Sequence, residues 1–364
     1  MLDRHPRSLR RRYLRLAVIN IMATVSVPLA GLVDTAILGH LEDIRFLAGV
    51  ALASIVFDYI YWTFGFLRMG TTGTTAQAVG EGNMTAVYLT LYRGLFLALS
   101  IGVALVVLQV PIRIGGFAVL SGAEGVEAAG IAYFNARIWG APATLCTFVL
   151  TGWFLGREQS GLVLLITVAA NVSNIILDYV FVLGFGLAAF GAGLATMMSQ
   201  YLALAIGLIL FWKARESRPW VWGEVVDRDG LSSLMRLNRD ILFRTLGLIT
   251  ALSLFTNLSS ALGTTVLAAN AILLRVQYLA SHFIDGAAFA TESLAGIFRG
   301  RGDAEGLFKL LRLSLVVGFA CALGFAVLVV MAPEFLYPLL TSHQEVVEAA
   351  TRFGYWLIPV LFFG

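Results

Sequence analysis

The stretch PLAGLVDTAILGHL, residues 28–41, decides the reading of this chain. It belongs to an apolar run that opens near Leu14 and is long enough for a membrane-spanning helix, which needs about 20 mainly apolar residues. Well inside that run stands a carboxylate, Asp34. A charged side chain at such depth costs roughly 3 kcal/mol on insertion scales, so an intramembrane acid marks a proton or ion site before it marks a packing choice. Pro28, six residues earlier, has no backbone N–H to give and weakens the helical ladder beside the acid. A group that holds or releases a proton next to a hinge is what a proton-coupled carrier needs. The other reading of Pro28 is a static kink, common in membrane helices.

The rest of the chain has the same character. Of 364 residues, 59% are hydrophobic and only 13% charged, against roughly a quarter in soluble domains. This is the composition of an all-α polytopic membrane protein. Apolar runs predict spans near 14–38, 46–78, 86–110, 125–152, 160–183 and 189–212, then near 241–260, 265–297, 308–331 and from 345 to the last residue. The first six form an N-lobe, 1–212; a polar inter-lobe loop follows, 213–240, with Pro219, Arg215 and Arg218; the last four form a C-lobe, 241–364. EGVEAAG (124–130) answers EVVEAAT (345–351) at an offset of 221, and TTAQAVG (74–80) answers ATESLAG (290–296) at an offset of 216. Such agreement points to an internal repeat, a common build of secondary transporters. With six spans per half the repeat is parallel, and the second lobe then reads as incomplete after about four helices.

Lys and Arg near span ends set orientation. Arg4, Arg7, Arg10, Arg11, Arg12 and Arg15 at the amino terminus, the cations of the central loop, and Arg299, Arg301, Lys309 and Arg312 fall on one side. The opposite side has only Arg45 and Arg113 in its links. The amino terminus and central loop are therefore expected in the cytoplasm, with the protein in the inner or plasma membrane. The basic amino terminus resembles a signal-peptide start, but the long first run contains Asp34 and no small-residue cleavage site, so it reads as a retained helix. Cys146 and Cys321 have neither redox nor metal-ligand spacing. Phosphate-loop, zinc-protease and nucleophile-elbow motifs are absent from the sequence. The four His are scattered, so no metal, cofactor or nucleic-acid partner is implied, and uphill transport would draw on an ion gradient.

Polar groups inside the spans fall into two sets, the first made of Asp34, of Asn171, Asn174 and Asp178 in the fifth span, and of Thr196 in the sixth. Asn171, Asn174 and Asp178, spaced three and four apart in NVSNIILD, share one helical face. Asp178 and Asp34 in one low-dielectric cavity would not readily both ionise, and such a pair works as a proton switch. Asp178 near a helix end has a plainer reading as a cap. In the second half, Asn270, Arg275, Asp285 and Glu292 lie on the eighth span, where Asp285 and Glu292 are seven apart and Arg275 is ten before Asp285. These serve substrate, or an ion-pair network that positions helices. Asp58 and Arg68, ten apart in the second span, neutralise each other or pair with the eighth. Asn257 in the seventh span adds a further polar contact. The aromatic runs FDYIYWTF (57–64) and YFNARIW (133–139) read first as interfacial belt or packing, and second as surfaces for aromatic cations.

PLAGLVDTAILGHL, FGFLRMGTTG (64–73), NVSNIILDYVFVLGFG (171–186), GAGLATMMSQ (191–200) and NAILL with FIDGAAFATESLAG (270–296), in that order, resemble the MATE (multidrug and toxic compound extrusion) transporters, specifically their DinF-like branch. The resemblance implies two six-helix lobes around a cavity and exchange of H⁺ or Na⁺ for small organic, often cationic, compounds. It implies that Asp34 is the coupling acid, with Asn174, Asp178 and Thr196 around it; the same four offer oxygens to a sodium ion. It assigns Asp285 and Glu292 to the branch's acidic eighth-helix motif. Asp58 and Arg275 depart from the branch's usual uncharged residues and would shift substrate charge preference. The rivals are a flippase of lipid-linked precursors, which needs a strongly cationic cavity, a membrane-embedded enzyme, and an inactive truncated relic.

Overall fold

A computed structural model describes residues 6–41, 43–120, 123–214, 225, 227–338, 340 and 344–363, and every regular element among them is a helix. Nine of these helical stretches are long and apolar enough to cross a membrane. The chain is an integral multi-pass membrane protein. In chain order the α-helices longer than a single turn are α1 Pro6–Gly39, α2 Arg45–Thr63, α3 Phe66–Glu81, α4 Met84–Val107, α5 Gln109–Val119, α6 Glu124–Arg137, α7 Ala141–Gly156, α8 Ser160–Asp178, α9 Ala188–Ala214, α10 Arg228–Ala261, α11 Thr264–Gly300, α12 Ala304–Met331, α13 Gln344–Phe353 and α14 Leu357–Phe363.

Several expected spans are built differently from their apolar runs, each for a local reason. The second is two helices, α2 and α3, interrupted at Phe64 and Gly65. The fourth is α6 and α7 joined by the 3-10 turn Ile138–Gly140. Pro142 has no N–H to offer the carbonyl of Ile138, and Ala141 N–H takes that carbonyl one residue sooner, which tightens the turn. The expected tenth span repeats the device: α13, the 3-10 turn Gly354–Trp356, then α14 with Pro359 inside it. EGVEAAG and EVVEAAT, the sequence repeat, thus each occupy a helix that ends in a 3-10 turn and resumes over a proline. The polar segment 213–240 is shorter as a loop than its composition suggests, because α9 continues to Ala214 and α10 begins at Arg228. Pro219, Arg215 and Arg218 lie outside the described residues, as do Arg4, His5 and His343.

Helix packing divides the chain into two compact units: Met1–Val25 with Arg244–Thr291 and Ala304–Gly364, and Ser26–Phe243 with Glu292–Asp303. Two long helices are shared between them, α1 cut between Val25 and Ser26 and α11 between Thr291 and Glu292.

In the unit that contains Ser26–Phe243, glycines let helices approach closely, as is usual where apolar burial alone does not hold helices together in lipid. A Cβ on Gly49 of α2 would meet Gly130 N of α6 at 2.7 Å, and one on Gly193 of α9 would meet Tyr133 O of α6 at 2.6 Å. Trp153 of α7 is fully buried and satisfies its indole N–H on Val87 O of α4 at 3.0 Å, the partner a buried tryptophan requires. In the other unit the first turns of α1 are tied to α11. Tyr13 Oη donates to Ala287 O at 3.4 Å, Thr24 Oγ1 donates to His282 O at 2.7 Å, and Gly286 brings α11 against the backbone of Ile21. The core of this unit joins Val276 and Ala280 of α11, Ala326 and Val329 of α12, Ala350 of α13 and Leu361 of α14.

Candidate coupling site

The carboxyls of Asp34, on the half of α1 that follows Pro28, and Asp178, the last residue of α8, lie against each other. Asp178 is 2% exposed, so it is neither a solvated cap nor an interfacial group. One oxygen on each side, Oδ1 of Asp34 and Oδ1 of Asp178, is buried with no hydrogen-bond partner among the described residues. Two carboxyls make a favourable contact only when they share a proton.

α8 delivers its polar face as a unit. Asn174 Nδ2 donates to Asp178 Oδ2 at 3.1 Å, and Asn171 Nδ2 donates to Ser26 Oγ of α1 at 2.9 Å. After Asp178 the backbone widens into the π-helical turn Tyr179–Gly184, a form that often marks functional positions. Thr196 does not join by a side-chain bond; its hydroxyl donates to Ala192 O of its own helix at 2.9 Å.

A cation that the sequence reading passed over stands in this group. Arg137, the last residue of α6, acts electrostatically on Asp34 and on Asp58. Its guanidinium carbon lies 4.4 Å from the ring centre of Phe57, 5.5 Å from that of Tyr133 and 5.7 Å from that of Tyr61, and its Nη1 donates to Tyr133 Oη at 2.9 Å. The two aromatic runs of the sequence meet here, with Phe57 stacked on Phe134 at 5.1 Å. The signal that finds Arg137 is the one that found Asp34: a charge in the middle of an apolar span, 125–152.

The other predicted residues are dispersed. Arg68 of α3 pairs with Glu292 of α11 at 3.4 Å, so the second span does reach the eighth. Asn270 Nδ2 donates to Ser259 Oγ at 2.8 Å and works inside its own unit. Asp58, Asn257, Arg275 and Asp285 are exposed in the structure. Pro28 lies within an uninterrupted helix, two residues beyond the cut between the units. No cluster of metal-ligating side chains occurs among the described residues.

The MatE family model matches residues 20–180 and 242–364. The chain is 35% identical over 351 residues to the DNA damage-inducible protein F of Escherichia coli (strain K12), covering 95% of this chain and 76% of that protein. It is 27% identical over 356 residues to the multidrug resistance protein NorM of Vibrio cholerae, covering 93% and 75%. In three dimensions it matches a MOP superfamily transporter from Pyrococcus furiosus, whose binding pocket is described as having reversed polarity, with a TM-score of 0.88, 21% identity and coverage of 97% of this chain and 79% of that one. A MATE in the straight conformation matches with a TM-score of 0.87, 23% identity and the same coverage. At these identities the solved structures speak for the fold alone.

Proposed function

The chain belongs to the MatE family of multidrug efflux transporters, and from that premise we propose that it is a secondary antiporter in which protonation of Asp34 drives release of a small organic cation. The observation that carries the reading is the closeness of the half-buried carboxyl of Asp34 to the buried carboxyl of Asp178. A bound cation and a proton compete for the same negative charge. When the pair is ionised it attracts the substrate; when it takes up a proton, that attraction falls and the substrate leaves. Alternating access then requires only that the two events occur on opposite sides of the membrane, with the amino terminus and the segment 213–240 in the cytoplasm.

Pro28 supplies the mechanical half. The carbonyl it leaves free is that of Thr24, whose hydroxyl is bonded to His282 O of α11. Residues up to Val25 pack in one compact unit and those from Ser26 in the other. A bend at Pro28 would move the segment bearing Asp34, while the hydroxyl of Thr24 holds the preceding turn to α11.

H⁺ is favoured over Na⁺ by the donor set. Asn174 turns its amide nitrogen to Asp178, and Thr196 spends its hydroxyl proton on its own helix, so the neutral side chains around the carboxyls are not arrayed as a shell of oxygens for a hard cation. The flippase reading, which needs a cationic cavity for pyrophosphate, is disfavoured by the acids that Arg137 faces or neighbours among the described residues, Asp34, Asp178 and Asp58.

The test is proton flux in proteoliposomes loaded with a pH-sensitive dye. Ethidium added to the 364-residue chain should move protons, and Asp34→Asn should not. Equal proton movement in the two would end the reading; movement that follows sodium in place of pH would transfer the coupling to Na⁺.

A further inference from the structure

Arg137 is unlike a structural intramembrane arginine in how it is held. Such residues usually pair with other charges or with backbone carbonyls, whereas the contacts that hold the Arg137 guanidinium are mainly aromatic. Its anchors are the faces of Phe57, Tyr61 and Tyr133 and one hydrogen bond to Tyr133 Oη. Its Nε is buried and has no hydrogen-bond partner among the described residues. Negative charge faces it from α1 through Asp34 and from α2 through Asp58, phenol groups face it from α2 through Tyr61 and from its own helix through Tyr133, and α9 meets this stretch through Gly193.

Three aromatic faces around a positive charge, with acids beyond them, is the arrangement by which proteins recognise organic cations. Here the cation is supplied by the chain itself. We propose that Arg137 is a tethered occupant of this aromatic cage, and that an organic cation gains the Phe57, Tyr61 and Tyr133 rings by displacing the guanidinium. The proposal rests on the antiport reading for its biological sense and deepens it, because it names the group that substrate competes with. Arg137 then sets specificity: flat aromatic cations, with more stacking area than a guanidinium, displace it, and small cations such as guanidinium do not. An occupant fixed by rings and one hydroxyl can be displaced, whereas one fixed by a bidentate carboxylate would not yield.

The experiment is equilibrium binding of ethidium, read by its fluorescence, to the purified full chain in detergent, with guanidinium chloride as competitor and ionic strength held constant. Binding is measured without transport, so a failure of the antiport reading and a failure of this proposal are seen separately. Removing the resident charge in Arg137→Gln should tighten ethidium binding about tenfold, the change that 1.4 kcal/mol represents. Millimolar guanidinium should then compete in Arg137→Gln and leave the wild type unaffected. Tyr133→Phe, which removes only the hydroxyl anchor, should tighten ethidium binding by about threefold and carries the test if Arg137→Gln does not elute as a single folded species. Unchanged or weaker ethidium binding in the folded variant, or guanidinium competing equally with the wild type, overturns the proposal.

Discussion

Nη1 of Arg68 lies 3.4 Å from Oε2 of Glu292, an ion pair joining α3 to the last part of α11, with side chains 17% and 26% exposed. Partial burial places it between an exposed pair, worth little, and a fully desolvated one, whose disruption is costly because a charge is stranded. Arg68→Ala should lower stability by about 1–2 kcal/mol. Glu292→Ala should do the same, and the two together should cost less than the sum of the single changes, as groups that interact directly do. Thermal unfolding of the four species in detergent checks this; strictly additive losses would mean that the pair contributes nothing as a pair.

The same interface holds a steric prediction. A Cβ on Gly300 would lie 2.1 Å from Gln77 O and one on Gly296 would lie 2.5 Å from Ala76 Cβ. Backbone cannot retreat as the end of a flexible side chain can, so Gly300→Ala should destabilise by about 1–3 kcal/mol, a larger effect than the one methyl suggests. Gly318, which has open space about it, is the control: Gly318→Ala should be neutral or stabilising, since it only improves helix propensity.

In the candidate coupling site, Asn174 contributes one hydrogen bond, to Asp178 Oδ2. Asn174→Ala leaves that oxygen without the donor, and hydrogen bonds to charged groups are worth about 1.5–3 kcal/mol. Proton-linked ethidium transport should fall about tenfold or more while the protein remains folded, the fold-change following from about 1.4 kcal/mol per decade. Thr196→Val tests the complementary point. Its hydroxyl serves its own helix, so transport should change by less than about threefold under H⁺ coupling. A sodium-dependent collapse in Thr196→Val would show that the threonine ligates an ion.

How much of this was legible in the sequence depends on whether one helix or several had to be read. Asp34, Asn171, Asn174 and Asp178 were legible because depth and 3–4 spacing are properties of single segments, and the structure brings them together. The Arg68 pairing required knowing which of two distant partners α3 would meet, and only packing supplies that. Arg137 went unnoticed because its aromatic neighbours, Phe57 and Tyr61 on one helix and Tyr133 on another, look like interfacial belt when each run is read alone. Thr196, grouped with the site by its place in the sixth span and by family resemblance, bonds within its own helix, a choice any helical threonine has and no sequence pattern reveals. The division of α1 between Val25 and Ser26 was illegible for a different reason: the fasteners of its first half, His282 O and Ala287 O, lie more than 250 residues away.

Asp43 gives a pH prediction outside the spans. Its carboxylate accepts from Arg45 Nε at 2.8 Å and from the Arg45 backbone N–H at 2.9 Å at the start of α2. These side-chain and then backbone hydrogen bonds hold its carboxyl below the ordinary range. A depressed value in the folded state means that the contribution to stability is present above the unfolded value, about 3.9, and is lost as pH falls through the folded one. Carbon-13 titration of Asp43 should give a midpoint below that of a free aspartate, and Arg45→Ala, which keeps the backbone N–H, should raise it part of the way back; equal midpoints in the two proteins would remove the Arg45 side chain as the cause.

Asn20 yields the reverse kind of mutation. It is 1% exposed, within the segment of α1 that packs on α11, and neither Oδ1 nor Nδ2 has a hydrogen-bond partner among the described residues. A buried amide without partners costs its desolvation and returns nothing, whereas an apolar side chain of similar volume avoids the cost. Asn20→Leu should therefore stabilise the protein by about 1–2 kcal/mol, read as a rise in the unfolding temperature in detergent. Transport in the same variant separates two meanings of that gain. If transport is retained, Asn20 is a tolerated imperfection of the helix contact. If transport falls while stability rises, the amide finds its partners in another conformation of the cycle, because a residue kept at a cost to one state is used in a different one. A loss of stability in Asn20→Leu would contradict both, and would mean that the amide is satisfied where it stands.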